Sequence, residues 1–481
     1  MPKRSRHRFL RSRRLLPVLG LLAGLAVVVR SAPGPQAAGW SAASGGAGAG
    51  RQPASAAPAD RRSDRGIETP YFPGRDEWQT RPPEALGLDG ARLDEAIRFA
   101  VAHENPATRD LATDIALTFS REPHNAIIGP TAPRAALNGL VVRRGYIAAE
   151  WGETLRPDMT FSVTKSFLST LVGLAWARGL IRDVADRVAP YMPRPSIPTP
   201  ECLGMRGPRP PEEACELFAS PKNAAITWDH LLRQTSDWEG TLWGKPDWAD
   251  RPEGERPSDY PNRKRYEPGA RYKYNDVRVN VLALAALHVW RRPLPEVLRE
   301  EVMDPIGASS TWRWYGYENS WVLVDGRWVQ SVSGGGHWGG GLFISARDLA
   351  RFGLLFLRRG RWRDRPIVSE RWIAMARTPG AANPTYGYMN WFLNTDRKPL
   401  PSAPESSVTF RGNGQNIVYI DWENDLVVVV RWIRGEALDE FIGKVLAAVR
   451  APAPSAPASR APARSPDASG PEAPSRRSSL D

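Results

Sequence analysis

Apolar positions along this chain switch between two periods, and the switches mark its elements. "LDGARLDEAIRFAVAH" spaces them by three and four after Asp89, which predicts a helix capped by that side chain. "NGLVVRRGYIAAEWGE" predicts two short strands broken at "RRG". A long apolar helix is expected from Ser162 in "FSVTKSFLSTLVGLAW". "TWDHLLRQTS" starts another helix, with Thr227 as its cap. "YNDVRVNVLALAALHVW" and "LPEVLREEVMDPIG" read as helices, the second ending at Pro305 or Gly307. "WVLVDGRWV" is a hairpin turning at Asp325-Gly326. "ARDLARFGLLFLRRG" is helical, and "SSVTFRG", "NIVYIDW" and "DLVVVVRWI" are strands. "EALDEFIGKVLAAVR" closes as an amphipathic helix. Strands at both ends with helices between them predict an α/β fold of α+β type. Its central antiparallel sheet is built from both ends of the domain, flanked by helices, with an inserted, mainly helical region.

The ends of the chain lack these periods. "MPKRSRHRFLRSRR" is basic, and the apolar run Leu15 to Val29 is short for a bilayer span of about 20 residues. "SRRLL" has a twin-arginine look, and small residues allow cleavage near Ala37 or Ala38. Residues 1–38 therefore read as a signal peptide or an N-terminal anchor. In either case the domain is exported: periplasmic, secreted or held at a membrane. Residues 39–70 read as a flexible linker, 71–450 as the working domain, and 451–481 as a disordered Pro/Ala/Ser tail. Cys202 and Cys215 lie thirteen apart in a Pro-rich loop. In an exported chain they suggest a disulfide; the alternative is two free thiols.

Charge changes the picture little. The formal balance is +13, but residues 1–30 carry eight Lys or Arg and no acid. Without them it is only about +5, so no nucleic-acid partner is expected. Several common active sites are absent: there is no G-x-S-x-G, no H-E-x-x-H and no G-x-x-x-x-G-K-[ST].

One S-x-x-K occurs, Ser162 with Lys165. Three residues along a helix put both side chains on nearly one face. A serine needs a base to become a nucleophile. A lysine can be that base when uncharged, and the apolar run around Lys165 is expected to favour this form by desolvation. The bland alternative is a capping Ser and a surface Lys. "EPGARYKYND" brings Tyr274 to a helix start, where a nearby cation would lower its pKa and suit it to shuttle protons; the alternative is a packed aromatic. "TFRGNGQNIVYIDW" puts Gly412 and Gly414 at a strand edge that a substrate could approach closely, or at a simple turn.

In this order, these stretches resemble the serine β-lactamase-related superfamily. Its members include class C β-lactamases, D-alanyl-D-alanine carboxypeptidases, esterases and 6-aminohexanoate-dimer hydrolases. "FSVTKSFLSTLVGLA" is similar to its S-x-x-K segment and "TWDHLLRQTSDWEG" to its T-x-x-H-L-L-x-x-T-S-G segment. "PGARYKYND", "VMDPIGASSTW", "GGGLFISARDLARFG" and "YGYMNW" also have counterparts. The likeness spans about 85–450. It implies Ser162 as acylated nucleophile, Lys165 as its basic partner and Tyr274 as proton relay. The backbone N–H groups of Ser162 and Asn413 become candidates for the oxyanion hole. No metal or organic cofactor is implied, and the substrate is a small-molecule or short peptide-like acyl compound.

The departures narrow the branch. The family's Y-x-N ends here in Asp276, after Asn275. Its K-T-G or H-T-G aligns with Phe410-Arg411-Gly412, so Phe410 cannot supply the cation that holds a substrate carboxylate. Arg411 or Lys273 could substitute. "YNDVRVN", "TWRWYGYENSW" and "SGGGHWGGG" look closest to the 6-aminohexanoate-dimer hydrolase branch. The expected activity is a serine hydrolase cleaving linear esters or amides. The alternatives are a penicillin-recognising D,D-carboxypeptidase or β-lactamase, and an inactive binder of cell-wall ligands. Asp276, Arg411, Gly412, His337 and Trp338 are candidate substrate contacts. For His337 the alternative is a backbone bond in a tightly packed glycine loop. Trp312, Trp314 and Trp321 could form an acyl-binding wall or pack in the core.

Overall fold

The structure is a computed structural model and describes residues 70–449. The leader read at 1–38 and the tail read at 451–481 lie outside the described residues, as does the linker read at 39–70 apart from Pro70.

Strand Leu426–Arg431 shows how the main sheet is covered. Leu426, Val428 and Val430 join one apolar cluster, and Val427 and Val429 join another. Side chains of a strand alternate between faces. Both faces are packed, so all six residues are buried. Hence the sequence reads as a continuous apolar run. Val428 lies opposite Val141 on one side and Tyr419 on the other. The neighbours are Asn138–Arg143 and Asn416–Asp421, followed outward by Tyr146–Trp151, Val408–Gly412 and Phe392–Leu393. All six strands are antiparallel. Segments nearly three hundred residues apart thus meet at the centre of one sheet, the α+β arrangement expected from the pattern.

Helices Gly90–Ala102 and Leu438–Ala447 cover one face through Leu93, Ala96, Phe441, Ile442 and Val445. Asp89 caps the first by accepting from the Arg92 N–H. The other face packs on helices Ala346–Leu357 and Thr164–Ala177, where Phe352 stacks on Phe167 at 3.7 Å. Every residue from Thr164 to Ala175 is buried. A helix buried all round has no use for a polar stripe. Helix Asp276–Trp290 runs beside it and is buried almost throughout. The Asn275 side chain caps it by accepting from the Arg278 N–H, which fixes Tyr274 just before the helix.

A second antiparallel sheet holds the hairpin Arg313–Val324 and Arg327–Val332, then Gly341–Ile344 and Asp158–Met159. The last strand leads directly to Ser162. Two local differences from the sequence pattern matter. The "LPEVLREEVM" helix is α-helical over Leu294–Leu298 and widens into a π turn over Arg299–Met303. A helix at Leu111–Thr118, capped by Asp110, was not expected. It carries the chain to Phe119 and Glu122.

Cys202 and Cys215 are joined by a disulfide and both are buried. A loop this short, closed covalently, stabilises by about 3 kcal/mol through the unfolded chain. The double variant Cys202→Ala/Cys215→Ala should lose about that much in urea unfolding. Reductant should cause a similar loss in the wild type and none in the variant.

Candidate active site

Ser162 lies in a 3₁₀ turn, Phe161–Val163, and the α-helix begins at Thr164. It therefore stands just before the helix instead of inside its first turn. The cause is Phe161, whose φ of 48° is left-handed. A non-glycine residue held there costs about 1–3 kcal/mol. Burial holds Phe161 in place, with its ring edge against Trp432 at 6.1 Å. The turn aims Ser162 into a cleft of about 330 Å³.

Lys165 Nζ donates to Ser162 Oγ at 2.7 Å. The same nitrogen reaches Asp276 Oδ1 at 2.6 Å and lies 4.8 Å from the centre of the Tyr274 ring. Lys165 is fully buried, but its surroundings are not only apolar. The sequence predicts desolvation alone; the structure adds a buried carboxylate, Asp276, from another helix. That carboxylate is held well below its usual range. Burial pushes it up, but Lys165, then His337 and Arg251, outweigh this.

Tyr274 borders the cleft beside Ser162. The expected lowering of its pKa by a cation does not prevail. Burial, then Asp276, push Tyr274 up, against Arg251 and a hydrogen bond with Ser162. It therefore keeps its proton.

Asp276 anchors a wider ion network. Its Oδ2 accepts from Arg251 Nη1 at 3.0 Å and faces His337 Nδ1 at 3.5 Å. Arg251 also pairs with Asp250, whose other oxygen accepts from the Asp276 backbone N–H. His337 Nε2 meets Glu122 Oε2 at 2.6 Å, and the Phe119 ring lies tilted against the imidazole at 3.8 Å. Burial pushes His337 down, but Asp250, then Asp276 and Glu122, raise it to about 9. Sequence reasoning missed Glu122, Asp250 and Arg251. No motif marks them: Asp250 and Arg251 adjoin on one loop, Glu122 lies on a second, and the fold brings both to His337 on a third. Glu122, Asp250 and His337 also place possible metal-ligand atoms within 4.8 Å of one another. Their charges are already met by Arg251 and by the Glu122–His337 pair, so they belong to this network.

The remaining candidates divide clearly. Gly412 and Asn413 line the cleft with Ser162. A Cβ on Gly412 would lie 2.2 Å from Thr160 O, so only glycine lets this strand approach the turn that carries Ser162. Arg411 also lines the cleft; its Nε donates to Thr409 Oγ1 at 2.7 Å. It has no ion-pair partner among the described residues, and burial pushes it down to about 10. Phe410 points into the core against Phe352, Phe356 and Trp391. Lys273 pairs with Glu253 at 3.0 Å and does not line the cleft. Trp338 is buried behind His337, so its expected substrate contact gives way to packing. Trp312 and Trp314 are core residues, and Trp321 is an exposed strand residue outside the cleft. The aromatic walls are instead Phe119, Phe161, Tyr274 and Phe392.

The Beta-lactamase family model matches residues 141–438, more than half of the chain. The chain belongs to the Beta-lactamase family. It is a hydrolase of that superfamily. A search of curated proteins returns no match. Among solved structures, a putative 6-aminohexanoate-dimer hydrolase from Bacillus anthracis is 13% identical, with a TM-score of 0.41 over 64% of this chain and 77% of that one. A β-lactamase from Mycobacterium bovis is 20% identical, with a TM-score of 0.42 over 66% and 94%. A family VIII carboxylesterase is 14% identical, with a TM-score of 0.46 over 78% and 98%.

In this member of the Beta-lactamase family, the His337 pair gives stability a distinct pH dependence. The folded value of about 9 lies above the ordinary 6.5. The contribution is therefore complete below pH 6.5 and is lost as pH rises through 9. Its size is on the order of 3 kcal/mol. Melting temperature should fall across this window. Glu122→Gln should lower stability at the acid end and flatten the fall; an unchanged slope in that variant would contradict the assignment.

Proposed function

We propose that the protein is an exported serine hydrolase that cleaves carboxylic esters or amides through an acyl-enzyme on Ser162. The observation carrying this reading is the 2.7 Å bond between Lys165 Nζ and Ser162 Oγ in the cleft. Uncharged Lys165 takes the Ser162 proton as Oγ bonds to the acyl carbon. The oxyanion falls to the backbone N–H groups of Ser162 and Asn413. As this intermediate collapses, the C–O or C–N bond breaks and the leaving group takes a proton from Lys165 by way of Tyr274. Water then attacks the acyl-enzyme by the reverse sequence and restores Ser162.

The cleft favours a small linear acyl group, as in the 6-aminohexanoate-dimer hydrolase branch. Phe119, Phe161 and Phe392 offer an apolar wall, while Arg251 and Arg411 face its polar side. Export is read from the basic start and the apolar run Leu15 to Val29. One observation favours a second reading, a penicillin-recognising enzyme: Arg411 supplies a cation beside Gly412 although Phe410 does not.

Ser162→Ala should abolish p-nitrophenyl ester hydrolysis and labelling by a fluorophosphonate. Lys165→Ala should lower kcat by about 10²–10⁴-fold, the usual worth of a general base. Full activity in Ser162→Ala would end the reading. Nitrocefin turnover faster than that of linear esters and amides would favour the penicillin-recognising alternative.

A further inference from the structure

His337 and Glu122 have no place in the chemistry above, yet they close the back of the site. Asp276 is shared by three cations. Lys165 holds Oδ1 at 2.6 Å, Arg251 holds Oδ2 at 3.0 Å, and His337 Nδ1 faces Oδ2 at 3.5 Å. The carboxylate is buried. A buried charge left without a partner is strongly unfavourable. This creates a problem for any lysine base. Lys165 can accept the Ser162 proton only when uncharged, and in a simple two-membered pair that state would strand Asp276.

We propose that His337, held by Glu122, is a positioning residue for acylation: it shares Asp276 with Lys165, so the carboxylate stays compensated while Lys165 gains and loses its proton. This inference rests on the acyl-enzyme reading of Ser162.

The surroundings of His337 fit this part. Glu122 at 2.6 Å and Asp250 at 3.9 Å face Nε2, and Asp276 faces Nδ1. Arg251 is the cation opposing them. Phe119 covers one ring face at 3.8 Å, and Trp338 stands edge-on at 4.5 Å. Three carboxylates against one cation keep the imidazole charged, consistent with its raised pKa. The glycine loop brings it close. A Cβ on Gly335 would lie 2.0 Å from Asp276 Oδ1 and 2.2 Å from Lys165 Nζ, so the loop backbone rests directly on the ion pair.

The protons balance without entering this rear part. The Ser162 proton moves to Lys165 as the Oγ–acyl bond forms, and later goes to the leaving group. His337 keeps both of its N–H protons. What changes is the charge beside Asp276, which Arg251 and His337 hold steady.

The test is the pH profile of p-nitrophenyl ester hydrolysis from pH 6 to 10, in the wild type, His337→Gln and Glu122→Gln. Removing the imidazolium should make uncharged Lys165 less favourable. The ascending limb of kcat/KM should move up by about one pH unit, with about a tenfold loss at pH 7. The loss should fall on kcat more than on KM and should shrink at alkaline pH, where wild-type His337 also loses its charge. Glu122→Gln should move the limb in the same direction by less, and it serves if His337→Gln does not fold. A purely structural role would lower the profile equally at every pH. That outcome, or an unmoved limb in both variants with Ser162-dependent activity, overturns this inference alone. Fluorophosphonate labelling that persists in Ser162→Ala overturns the acyl-enzyme reading and this inference with it.

Discussion

The buried pair of Lys165 and Asp276 is the contact on which the site depends. It joins two helices near their starts; at the far end Trp290 Nε1 donates to the Leu171 carbonyl at 3.1 Å. Helix Thr164–Ala177 is buried along its first twelve residues, and helix Asp276–Trp290 almost throughout. Hydrophobic packing brings such helices together but fixes their registry weakly. A buried ion pair of 2.6 Å tolerates little displacement. It sets Ser162 at the start of one helix against Tyr274, just ahead of the other.

Backbone constraints then close around this pair. Phe161 accepts a left-handed conformation so that the chain can turn between strand Asp158–Met159 and the helix. Gly412 brings the sheet edge against Thr160, and Gly335 brings a loop against the ion pair itself. Lys245 secures the remaining side: its Nζ donates to the carbonyls of His124 and Ala126 at 2.5 and 2.7 Å. The loop between Phe119 and Ala126, which carries Glu122, is thereby tied down. The site is built by close approach of main chain more than by side-chain bulk.

How much of this was legible followed from where each interaction lies in sequence. The α+β sheet was readable because strand and helix periods are local. Ser162 and Lys165 were readable because they sit three apart, and Tyr274 because its motif adjoins a helix start. Asp250 and Arg251 adjoin in sequence but form no recognisable motif, and only the tertiary fold brings Glu122 and His337 beside them. The same gap explains two expectations that the structure revised. An apolar run around Lys165 gave no hint of Asp276, 111 residues away. A cation near Tyr274 suggested a lowered pKa, whereas burial and carboxylates raise it. The helix at Leu111–Thr118 was missed because it is short and only partly buried, with little amphipathic signal.

Charge closure also bears on what the cleft can recognise. Lys165, Arg251 and His337 face Asp250, Asp276 and Glu122, three against three, and each is engaged within the protein. Asp276 and His337 therefore have little to offer a substrate, even though both border the cleft. Arg411 differs: a side-chain hydroxyl orients its Nε, and no carboxylate among the described residues neutralises it. A partly buried guanidinium without a counter-ion favours an acceptor-rich or anionic group placed beside it. In the proposed reading, selectivity arises at the Gly412 edge of the cleft, and the balanced network behind Ser162 serves the chemistry. This division explains how the family's usual cation position can be given to Phe410 and the core without leaving the cleft uncharged.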